Sequence, residues 1–133
     1  MTRLRFAPAL ALAALFACAR PTPVPDAFPP TLGPWHRTAL RDLPPAQPPD
    51  AIPARTIEAI RAASYEGPGK LDARLYALPT PAAALDAVQR WSPRPDTVFF
   101  YKDRFFVVVQ WRDADRRALQ AFLGDLQKRF PSK

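Results

Sequence analysis

The chain has 133 residues, 48% hydrophobic and 23% charged, with 18 Pro, 4 Gly, one Cys, one His and no Asn. That length fits one domain with appendages, and the apolar fraction excludes wholesale disorder. A single Cys and a single His exclude an intramolecular disulfide, a Cys/His zinc site and a Cys–His catalytic pair. The formal net charge is +7, and fifteen of the 19 cationic side chains are Arg. Such a balance favours anionic partners, although the Arg, Ala and Pro codons of a GC-rich genome would give the same excess.

Residues 1–17 read as an export signal. Arg3 and Arg5 form a short positive start, and Phe6 to Ala17 is an uncharged run broken only by Pro8. The run is too short to span a bilayer, which takes about 20 apolar residues, but it suits a signal sequence. Leu15-Phe16-Ala17-Cys18 resembles the lipobox of bacterial lipoproteins, with Phe16 bulkier than the residue usual there. The resemblance implies cleavage before Cys18, a diacylglycerol thioether on its sulfur and a further acyl chain, such as palmitate, on its amino group. It also accounts for a lone, unpaired Cys in an exported protein. Cleavage after Ala19 is the rival reading, because Ala17-Cys18-Ala19 also places small residues two apart. Ala rather than Asp follows the Cys, and resemblance to sorted lipoproteins implies the outer membrane, facing the periplasm, in a Gram-negative host. The bilayer, reached through acylated Cys18, is then the first expected partner, and export argues against nucleic acid as a partner.

Residues 18–32 read as the lipidated Cys and a Pro-rich tether, since residues 20–32 hold five prolines in thirteen positions. Extended at about 3.1 Å per residue, this tether would lift the domain roughly 40 Å from the membrane. A single folded domain is expected over 33–133. Trp35 to Arg41 alternates well enough for a short edge strand, and a second Pro-rich stretch runs from Leu43 to Pro53. Ile57, Ile60 and Ala63 recur at helical spacing after Pro53, which predicts a short helix. Ala63 to Glu66 then starts a strand, and Gly67-Pro68-Gly69 turns the chain. Leu71, Ala73, Leu75 and Ala77 alternate with polar residues as a half-buried strand. Thr80-Pro81 is a helix start, with Leu85, Val88 and Trp91 along one face and Pro93 and Pro95 ending it.

Asp96 to Trp111 is the strongest β signal, a hairpin with its break at Lys102-Asp103. Pairing across it would place Val98, Phe100, Phe105, Val107, Val109 and Trp111 on one face, and Phe99, Phe106 and Val108 on the other. Both faces should therefore be covered. A last helix is expected from an Asp113 cap, with Leu119, Phe122, Leu123, Leu126 and Phe130 as its apolar stripe. The expected class is α+β, an antiparallel sheet of about four to five strands with two to three helices packed on it.

No catalytic residue and no cofactor or metal site is read from the sequence. Gly67-Pro68-Gly69-Lys70 lacks the spacing of a phosphate loop, His36 has no partner at a suggestive spacing, and Asp113 and Asp115 are explained as helix-start acids. None of the three Ser sits in a nucleophile-elbow context. Trp111, Arg112, Arg116 and Arg117 cluster in the sequence where the last strand meets the last helix. They are the candidate contacts for an anionic or glycan ligand, weighed against an ordinary solvated helix start.

Gly33-Pro34-Trp35, Ile57 to Tyr65, Leu75-Tyr76 with Ala83-Ala84-Leu85, and Val98 to Val109 together resemble an uncharacterised family of exported bacterial domains, often carried by lipoproteins. From residue 72 to 129, strand, helix, hairpin and helix in that order resemble small ferredoxin-like domains that bind bare glycan strands of peptidoglycan. Those domains carry glycines where this chain reads Leu75 to Leu78 and Val109 to Arg112. The expected function is a membrane-anchored envelope lipoprotein acting as a non-enzymatic binding or assembly factor, with an envelope protein or peptidoglycan as its further partner. A peptidoglycan-binding module is the alternative, and an enzyme with a dispersed site the third.

Overall fold

In the computed structural model, residues 24–50 and 52–130 are described. The expected export signal and the expected lipidation site, Cys18, lie outside them. The fold is α+β, as expected, with two helices among the described residues and one antiparallel sheet of six strands. That is more than the four to five strands expected because the short strand Thr31–Leu32 adds an edge, and Ala59 to Ala62 are strand rather than helix. The strands are β1 (Thr31–Leu32), β2 (Trp35–Leu43), β3 (Ala59–Glu66), β4 (Lys70–Ala77), β5 (Thr97–Lys102) and β6 (Phe105–Arg112). The helices are α1 (Pro81–Arg90) and α2 (Arg116–Lys128), and a 3-10 turn covers Ala54–Thr56. Strand order is β1-β2-β3-β4-β6-β5, so β1 to β4 form a meander and the β5–β6 hairpin returns to place β6 beside β4.

The hairpin forms with the expected residues on each face, and pairs Val98 with Val109 and Phe100 with Val107. Its loop residues are Asp103 and Arg104, one place later than expected, because Lys102 still pairs with Phe105. Asp103 takes the left-handed conformation, φ 55°, that so short a loop requires. The hairpin packs against apolar side chains on both faces. Val98, Phe100, Phe105, Val107, Val109 and Trp111 join the core under α2, and Phe99, Phe106 and Val108 the core under α1.

The helix expected over Ile57 to Ala63 is not formed. Only the 3-10 turn precedes Ile57, and from Ala59 the chain is β3, paired along its length with β4 and over most of it with β2. A central strand covered on both faces hides its alternation, and its three alanines fit helix or strand equally. Ladder pairing on two sides decides the outcome. At the start of α2 the cap is Asp115, not Asp113. The Asp115 carboxylate accepts from Ala118 N at 2.9 Å, while Asp113 sits at φ 49° in the turn before it.

α1 and α2 lie on opposite faces of the sheet. α2 buries Leu119, Phe122 and Leu126, and Phe122 meets Trp35 and Tyr65 edge-on at 5.9 and 5.1 Å between ring centroids. α1 starts at Thr80, whose hydroxyl accepts from Ala83 N, and buries Ala84 over Tyr76 and Phe106. The stretch read as tether joins the core before its expected end. Ala27 and Phe28 are buried under α2, and Val24 packs against them. Tyr65 donates to Pro29 O at 2.8 Å and the Arg129 guanidinium donates to Asp26 O at 3.2 Å. The Phe28 ring, three residues before β1, fills an apolar groove, and the surrounding prolines leave the chain extended enough to reach it.

Candidate functional site

The α1 face of the sheet carries the one charged side chain that is fully buried among the described residues, Asp50. It comes from the Pro-rich segment between β2 and the 3-10 turn, a stretch that makes no strand ladder. Ile52 and Ile57, on either side of that turn, enter the core under α1 and bring Asp50 down onto β4. There Arg74 and Tyr76, two apart on one strand, point to the same face.

The Asp50 carboxylate accepts from Arg74 Nε at 2.8 Å and from Arg74 Nη2 at 3.0 Å, a two-pronged contact. It also accepts from the Tyr76 hydroxyl and from Arg94 Nη2. Burial pushes this carboxyl up, but the hydrogen bonds from Arg74, Tyr76 and Arg94 outweigh it and hold Asp50 below the usual carboxylate range. Burial and the Asp50 charge both push the Tyr76 phenol well above its ordinary value. Burial alone would lower Arg74, yet Asp50 holds it above its ordinary value. Two guanidiniums thus face one carboxylate, leaving the cluster with one positive charge in excess.

Arg94 links this cluster to a neighbouring cleft. Its side chain is 46% exposed, and its guanidinium lies 4.5 Å over the Trp91 ring. Trp91 closes the end of α1 and packs on Phe99 and Phe106, whereas Leu85, expected on the same face, is exposed. Its indole N–H is buried with no acceptor among the described residues. The cleft between α1 and the 3-10 turn has a volume of about 190 Å³. Ile52, Pro53, Ala83, Ala87 and Trp91 give it an apolar lining, and Arg94 stands at its edge. The other charges on its rim, Asp86 and Arg90, pair with each other at 3.0 Å across one helical turn.

The candidate contacts from the sequence do not form one platform. Trp111 points into the core under α2, and Arg112, the next strand residue, points to the opposite face. Arg116 and Arg117 open α2 and are exposed, as is Arg112. His36 is exposed on β2, and Gly67-Pro68-Gly69 is a turn seated on the loop before α2, with Asp115 N donating to Pro68 O. Ser64 donates to Asp72 at 2.6 Å across β3 and β4, and Ser92 borders the cleft. Among the described residues no group of three His, Cys, Asp or Glu could hold a metal ion, and no helix is long and apolar enough to cross a membrane. No family model, curated protein or solved structure matches this chain.

Sequence reasoning missed the Asp50 cluster because its members lie far apart in the chain and none belongs to a motif. Two signals were present. Arg74 and Tyr76 share one face of a strand, and Asp50 is the one acid in a long Pro-rich stretch that otherwise reads as linker.

Proposed function

We propose that this chain is a lipid-anchored envelope protein whose folded part is a binding module, with the cleft beside Asp50 and Arg94 as its ligand site. The observation that carries the anchor is Leu15-Phe16-Ala17-Cys18, which lies close before the first described residue packed in the core, Val24. Six residues at about 3.1 Å each hold the domain within roughly 20 Å of an acylated Cys18. The binding reading, as against catalysis, is supported by the state of Asp50. A carboxylate engaged by three donor side chains and held below its usual range is a poor base and carries no proton to give at neutral pH.

A peptidoglycan-binding module is the second reading. It draws support from the order of β4, α1, β5 and β6, with β6 between β4 and β5, a split β-α-β arrangement. Against it, α1 and α2 cover opposite faces, and Trp111 and Arg112 diverge.

Expression of the full precursor and its Cys18→Ala variant in a bacterium, followed by fractionation and mass measurement, tests the anchor. Cleavage before Cys18 with added acyl mass, and membrane association lost in the variant, is the expected result. A soluble product beginning at Arg20 would overturn it. Retention of the domain on purified glycan strands would favour the second reading.

A further inference from the structure

The cleft between α1 and the 3-10 turn has an apolar interior and a cation with unspent donors at its edge. Arg94 gives Asp50 one hydrogen bond through Nη2, and the other nitrogens of that guanidinium have no partner among the described residues. Its half-exposed side chain can therefore take a second anionic group without releasing Asp50. The charge balance allows this, because Asp50 faces both Arg74 and Arg94, and Asp86 on the rim is neutralised by Arg90. A planar guanidinium that already holds one carboxylate, and is fixed against the Trp91 ring, is preorganised for another. The volume, about 190 Å³, equals roughly six waters at ~30 Å³ each, which is room for a short hydrocarbon body.

We propose that this cleft binds a small amphipathic carboxylate, with its apolar body against Ile52, Pro53, Ala83 and Ala87 and its head on Arg94. The proposal names the ligand class of the binding module proposed above and rests on that reading; it does not depend on the lipid anchor. Trp91, whose indole N–H lacks an acceptor among the described residues, lines the same cleft and reports on occupancy.

The test uses the chain from residue 18 onward with Cys18→Ser, which keeps every described residue. Octanoate and octanol are titrated separately while the Trp91 indole N–H resonance is followed, assigned by its absence in Trp91→Phe. Octanoate should shift that resonance saturably, with half-saturation below about 1 mM, and octanol should bind at least about tenfold more weakly. Ala87→Phe fills the cleft from α1 and should abolish the shift. Gln89→Phe, on the exposed side of the same helix, should leave it unchanged. Folding of both variants is checked by circular dichroism. No saturable shift with octanoate, or a shift that survives a folded Ala87→Phe, would overturn the proposal. Equal binding of octanol and octanoate would refute the carboxylate class while leaving the binding module standing.

Discussion

Replacing Asp50 with Ala removes the acceptor that three side chains share. Arg74, with its side chain 16% exposed, and the buried Tyr76 hydroxyl would be left without it. Removing one partner of a buried ion pair typically costs about 3–5 kcal/mol, because the remaining charge stays desolvated. Arg94 can turn toward water, so its share is small. The expected loss is therefore near the lower end, about 3 kcal/mol, or roughly 12–20 °C in Tm for a domain of this size. Asp50→Asn keeps one acceptor oxygen but turns an amide donor toward guanidinium or phenol donors, and should fall between the two proteins. Urea unfolding measures the difference, and an unchanged m-value shows that the same surface is exposed on unfolding. The pH dependence supplies a second check. Because the folded-state pKa of Asp50 lies below its unfolded value, the stabilisation is fully present above the usual carboxylate range, roughly pH 4, and is lost as pH falls through the folded pKa. Wild type and Asp50→Ala should thus differ by a constant amount from neutral pH down to about pH 5 and converge in stronger acid. A loss under about 1 kcal/mol, or parallel acid profiles, would show that the cluster is solvated and the reasoning wrong.

Two glycines should respond in opposite directions to alanine. At Gly69, φ 145°, an added Cβ would lie 2.6 Å from Ala114 Cα and 2.7 Å from Asp113 O, both backbone atoms, so Gly69→Ala should cost more than about 2 kcal/mol in thermal unfolding. Gly124 lies inside α2 with nothing near the added atom, so Gly124→Ala should raise stability by about 0.5–1 kcal/mol. Phe28→Ala should cost about 3–5 kcal/mol, measured by urea unfolding, because the ring is fully buried under α2; a free tether would show no change.

The hairpin of β5 and β6 was legible in the sequence down to which residue faces which core, because aromatic and β-branched residues alternate there without interruption. The stripe of α2 was legible for the same reason at helical spacing. β3 was not, since Ile57, Ile60 and Ala63 satisfy a helical period by coincidence and the pairing with β2 and β4 that overrules it is nonlocal. Asp113 and Asp115 are equivalent caps on paper, and only the left-handed turn at Asp113 separates them. The Asp50 cluster depends on where an irregular segment lies across the sheet, which no local pattern encodes. Polar residues alternating along β4 read as solvent-facing, yet Tyr76 is fully buried and Arg74 nearly so.

The two ends of the described chain fasten each other. Arg129 holds the Asp26 carbonyl, the Trp35 indole N–H donates to Ala118 O at 3.2 Å, and Phe28 shares a core with Phe122 and Phe130. A polypeptide is made from its amino end, and in the proposed export it would also emerge from that end. Until the residues of α2 arrive, Trp35, Tyr65 and Phe28 have no lid and the sheet is open on one side. In a chain made from its amino end, the core on this face is therefore completed only when its last helix is in place.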